Sequence, residues 1–120
     1  MADILIIATR GVEDPTRAGL AFLLARGAVE EGHQVSIVLM GDGSLLMKPA
    51  LRESVTALGL PPLKELFQFS LDHKVPLHVG ELCGKARGVS DEDLKTGNAT
   101  WIDPKRLATL VAEHDRNVTF

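Results

Sequence analysis

The chain's one cysteine, Cys83, stands in the run Gly80-Glu81-Leu82-Cys83-Gly84-Lys85-Ala86-Arg87-Gly88-Val89. A short apolar segment, Pro76 to Val79, precedes it and reads as a strand running into a loop. A thiol at a strand end can serve as a nucleophile or a sulfur acceptor, and the thiolate is the attacking form. If Cys83 opens a short helix through Arg87, the unpaired backbone N–H groups of the first turn favour its anion. Lys85 and Arg87 add positive potential, Glu81 opposes it, and Gly84 lets backbone or ligand come close. With one sulfur of this kind in 120 residues, any covalent role runs through a single thiol. The competing reading is a loop cysteine that packs as a small hydrophobe.

The other reactive side chains are dispersed. His78, in the strand before the cysteine, is either a proton partner or an ordinary alternating strand residue. His33, His73 and His114 fall at helix C-terminal ends, where a partial positive charge is favourable without any function. One Cys and four scattered His lack metal-ligand spacing, so neither a metal nor another cofactor is expected. No G-x-G-x-x-G or G-x-x-x-x-G-K-[ST] loop follows the first strand, and no nucleophile elbow is present. Met40 and Met47 read as core filler.

The elements that must position these residues alternate. Ile4 to Ala8 is a continuous apolar run, as a strand buried on both faces requires. Asp14-Pro15 supplies an N-cap and a first-position proline for a helix to Glu31, with Gly32 as its left-handed stop. Gln34 to Met40 is a second strand, closed by Gly41-Asp42-Gly43. Between Ser44 and Leu60 the pattern is least legible: helical turns at Ser44–Met47 and around Leu51–Leu58, interrupted at Pro49. A helix follows over Leu63 to His73, then the Pro76–Val79 strand, the cysteine loop and a short helix ending at Gly88. Ser90-Asp91-Glu92-Asp93 starts one more helical turn to Lys95, and Thr96 to Ala99 reads as loop. Trp101 and Ile102 either cap the core or meet another subunit. Asp103-Pro104 opens a helix to about His114 with Leu107, Leu110 and Val111 inward, and Asn117 to Phe120 is a last strand. This order predicts one α/β domain over residues 1–120, with helices on both faces of a mainly parallel sheet of four to five strands.

Parallel strands end on one edge, where open α/β folds place ligands. That rim gathers Arg10, Asp42 and Cys83, and Arg10 and Asp42 are expected either to pair with each other or to contact substrate. A 45% apolar composition fits a folded core burying about two thirds of the unfolded chain's surface. The formal charge of -3, without a basic stripe, argues against nucleic acid. The apolar runs are too short to span a bilayer. The N-terminus lacks signal-peptide features and the single cysteine fits a reducing compartment, so a cytoplasmic location is expected.

Taken in order, several segments resemble the DsrE/DsrF-like family. These are Asp14-Pro15-x-Arg17-Ala18, Glu31-Gly32-His33-Gln34-Val35, Gly41-Asp42-Gly43, and Cys83-x-x-x-Arg87-Gly88-Val89 followed by an acidic turn ending in Leu94. The similarity spans nearly the whole chain and is weakest over 44–60. It implies a three-layer α/β/α domain, homo-oligomers (trimers or hexamers), and in some members a cysteine that accepts sulfur as a persulfide. Some members carry C-x-x-C-x-x-x-R-G; here Gly80 occupies the first position, which leaves Cys83 alone. The leading expectation is therefore a sulfur-handling protein that exchanges sulfur with donor and acceptor proteins through Cys83. Lys85 and Arg87 would favour the anion, Gly84 would give access, and Arg10 and Asp42 would shape the rim. The alternatives are a non-catalytic oligomeric module that binds a small ligand or partner, and a thiol-dependent reductase or peroxidase, which needs a second thiol from elsewhere.

Overall fold

The computed structural model describes all 120 residues. Five strands form its sheet: β1 (Asp3–Ala8), β2 (Gln34–Leu39), β3 (Leu77–Gly80), β4 (Thr100–Ile102) and β5 (Arg116–Thr119). Their spatial order is β4-β3-β2-β1-β5, and every neighbouring pair is parallel. The helices are α1 (Pro15–Glu30), α2 (Pro49–Arg52), α3 (Leu63–Asp72), α4 (Glu81–Ala86), α5 (Asp91–Lys95) and α6 (Pro104–Glu113), with a 3-10 segment over Gly41–Met47.

The topology explains why the two faces are covered unequally. From β1 through β4 the chain steps one strand at a time toward one edge, and a consistent crossover hand puts all those connections on the same face. The last connection reverses, carrying the chain from β4 at one edge to β5 at the other, so α6 alone lies on the second face. The hydrophobic clusters follow this division. Ile6, Ile37, Leu39 and Val79 pack beneath Phe22 of α1 and Leu66 and Phe67 of α3, with the Phe22 and Phe67 rings 5.8 Å apart. Leu5, Val38 and Ile102 meet Leu110 of α6 on the other side. Each large side chain fully removed from water there contributes about 1.5–3 kcal/mol.

Local chemistry sets the helix ends as the sequence indicates. The Asp14 carboxylate accepts from the Arg17 N–H with Pro15 in the first turn of α1, and Gly32 has φ +86°. Ser90 and Asp93 form a reciprocal capping box at α5, and Asp103 caps α6 through the Arg106 N–H.

Four expectations need correction. Beyond Arg52 no helix forms toward Leu58; the chain instead makes turns, with Leu58 wholly exposed. Pro49 does separate two helical pieces, but it also opens the second. Thr100–Ile102 is a fourth strand, too short to show an alternating pattern, and Trp101 therefore sits in an edge strand against the larger core. Val111 is exposed while Leu107 and Leu110 face the sheet, because α6 covers its face as one narrow stripe.

Candidate functional site

The strand ends do share one rim, and its loops interlock. A side chain at Gly43 would strike the Ala8 carbonyl oxygen, so the loop after β2 lies directly on the end of β1. Between β1 and β5, where strand order reverses, the ladder runs on past the strand ends. Phe120 N–H donates to the Ile7 carbonyl at 2.8 Å, and Thr9 donates to the Phe120 carbonyl through both its N–H and its hydroxyl. The open recess lies on the opposite side, over the ends of β2, β3 and β4.

This recess, about 100 Å³ in volume, is lined by Met40, Leu82, Cys83, Ile102, Pro104 and Leu107, with Gly80, Glu81 and Asp103 completing it. Three strand ends and the starts of two helices therefore converge on the single thiol. Cys83 is partly buried and unbridged. It does not open α4: that helix begins at Glu81, directly after β3, and places Cys83 third.

The cations near Cys83 in sequence are both engaged in ion pairs. Residues two apart on a helix do not share a face, and Lys85, which borders the mouth of the recess beside Glu81, Leu82, Asp103 and Pro104, donates to Glu81 Oε1 at 2.7 Å. That hydrogen bond, with the charge of Glu81, holds the Lys85 ammonium above the usual lysine range. Arg87, one turn beyond Cys83, donates through Nε to Asp42 Oδ1 at 3.0 Å and through a terminal nitrogen to the Cys83 carbonyl oxygen at 3.1 Å. Asp42 thus pairs with Arg87 and not with Arg10, and the pair ties the loop after β2 to the cysteine helix. Arg10 is exposed and stands outside the recess.

Gly84 serves packing. A Cβ there would lie 2.5 Å from the Trp101 ring, so the missing side chain lets α4 rest on the indole. The Trp101 Nε1 donates to Asp91 at 2.8 Å, which holds the ring in place. His78 hydrogen-bonds Thr100 on the α6 face and is not among the residues lining the recess. Burial, then the charges of Arg106 and His114, keep its pKa below the ordinary histidine value. No group of three or more His, Cys, Asp or Glu is arranged to hold a metal ion.

Sequence reasoning missed the second wall of the recess, formed by Ile102, Asp103, Pro104 and Leu107. The Asp103-Pro104 cap was visible, but the strand that delivers it was not. It also missed Arg52, which is buried with its guanidinium 3.8 Å from the centre of the Phe67 ring and bonded to the Leu46 and Met47 carbonyls and to Thr96. Arg52 is structural: it anchors the segment that follows β2.

A wholly parallel five-stranded sheet flanked by helices defines an α/β fold. The chain belongs to the DsrE/DsrF-like family, whose model matches residues 2–120. Among solved structures it is similar to the ychN protein from E. coli, with a TM-score of 0.78 at 20% identity, covering 100% of both chains. It is also similar to BT1422 from Bacteroides thetaiotaomicron, a conserved protein of unknown function, with a TM-score of 0.72 at 13% identity over 99% of this chain and 95% of that one. At these identities the likeness is one of fold. A curated relative, uncharacterized protein MJ0760 from Methanocaldococcus jannaschii, is 28% identical over 95 residues; this stretch is 79% of the present chain but only 34% of that protein. The chain thus spans about a third of that relative's length.

Proposed function

We propose that this protein carries sulfane sulfur on Cys83, accepting it from a donor and passing it to an acceptor protein. One observation carries the reading: the chain's single thiol lines the open recess of the rim, within a fold whose family includes sulfur-relay proteins. In the loading step the Cys83 thiolate attacks the terminal sulfur of a donor persulfide, R–S–SH. A new sulfur–sulfur bond forms on Cys83, the donor's own sulfur–sulfur bond breaks, and the donor leaves as the thiolate R–S⁻. Attack by an acceptor thiolate on the terminal sulfur then returns Cys83 to its thiolate form, so no external oxidant or reductant is needed. Self-association into trimers or hexamers belongs to the same proposal.

The test is the intact mass of the protein after incubation with a persulfide donor. Wild type is expected to gain one sulfur and Cys83→Ser none. No gain on wild type, or an equal gain on the variant, overturns the reading.

A second reading, a non-catalytic binding module, draws on the engagement of both neighbouring cations in ion pairs. It requires that Cys83→Ser retain ligand or partner binding in full.

A further inference from the structure

We propose that the recess beside Cys83 takes an uncharged aliphatic segment, so that Cys83 reacts with sulfur borne on a low-polarity alkyl carrier and discriminates against charged carriers such as thiosulfate. The proposal rests on the assignment of Cys83 as the reactive residue of the recess, and it adds what that residue selects.

Met40, Leu82, Ile102, Pro104 and Leu107 are apolar, and the volume of about 100 Å³ is that of roughly three water molecules, or a short alkyl chain. The only charged residues lining it are carboxylates, Glu81 and Asp103. Glu81 is paired with Lys85, and Asp103 answers the N-terminal partial charge of α6 by capping it. Arg87 is held by Asp42 and does not line the recess. No cation lines the recess, and Glu81 sets a negative charge in the uncapped first turn of α4, so an anion entering here gives up its water for little return. An alkyl group loses little and gains about fourfold in binding for each methylene buried.

The probe is a series of alkyl methanethiosulfonates. The Cys83 thiolate attacks the sulfenyl sulfur, a disulfide forms, and methanesulfinate leaves with the electron pair of the broken bond. Rates on the wild-type chain are divided by those of a small reference thiol, N-acetylcysteine amide, to remove intrinsic reactivity. The expected ratio rises about fourfold per methylene from methyl to propyl and then levels off as the recess fills, while the 2-sulfonatoethyl reagent falls below methyl. A flat alkyl series, or a sulfonatoethyl ratio equal to that of propyl, overturns the proposal. Leu107→Asn, which places an amide in the wall, is expected to flatten the series; an unchanged slope in the folded variant overturns the assignment of that wall. A steep series without persulfide loading leaves the recess assignment standing and removes the sulfur-carrier reading; loading with a flat series does the reverse.

Discussion

Cys83 owes its setting to what its neighbours do with their charges. Arg87 spans two acceptors, the Asp42 carboxylate and the Cys83 carbonyl, so its main effect is to fix where the cysteine helix stands relative to the loop after β2. Both partners of that ion pair are partly exposed, and such pairs contribute about 1 kcal/mol or less. His78 offers a sharper prediction at this scale. Its folded pKa is lowered, chiefly by burial. Above the unfolded value of about 6.5 the group is neutral in both states and has no effect. As pH falls below it, the unfolded chain takes up a proton that the folded chain does not, so stability declines until the lowered folded value is passed. Thermal melts between pH 7.5 and 5 should therefore show a downward trend that is shallower in His78→Gln, which keeps a polar group beside Thr100 but cannot titrate. Identical slopes in the two proteins would contradict this assignment.

The short helix α4 shows what could be read in advance and what could not. Its existence was legible in the cysteine run but its start was not, since a loop was expected after Pro76–Val79 and α4 instead begins at Glu81, directly after β3. Its contacts were not, because they depend on β4, a three-residue strand whose Thr-Trp-Ile sequence carries no periodicity. Without β4 there was no Trp101 ring beside Gly84, and the glycine read as an access point. Long elements behaved differently: the β1 run and the capped, alanine-rich α1 declare themselves, since many residues repeat one signal. Arg52 was invisible for another reason, being a cation buried by a distant aromatic ring and two carbonyls that no local pattern announces. At the element scale, Gly84→Ala is predicted to force α4 off the Trp101 ring and to cost about 1–3 kcal/mol, as overpacking does. Denaturant unfolding should show a lower midpoint with an unchanged slope. A variant as stable as wild type would show that the contact is not limiting.

Across the whole molecule, one reversal of direction decides how the two faces of the sheet are covered. Four strands added in sequence build one thick, helix-covered face, and the single return over α6 leaves the other face thinly covered. The same return pairs β5 with β1, and their ladder continues through Phe120 to Thr9. The recess that holds the lone thiol lies on the other side, over the ends of β2, β3 and β4. The parallel sheet and the shared rim were derivable from element order alone, whereas the place of the recess along that rim was not, because its second wall depends on β4 and the start of α6. No helix of the chain is long and apolar enough to cross a membrane.

Onward transfer from loaded protein separates a sulfur carrier from a thiol that merely traps sulfur. Cys83 is charged with isotopically labelled sulfur, the donor is removed, and an acceptor protein bearing one reactive thiol is added. About one labelled sulfur per chain is expected to leave Cys83 and appear on the acceptor, with none delivered by Cys83→Ser treated in the same way. Label that stays on the chain, or that reaches the acceptor equally from the variant, would contradict it.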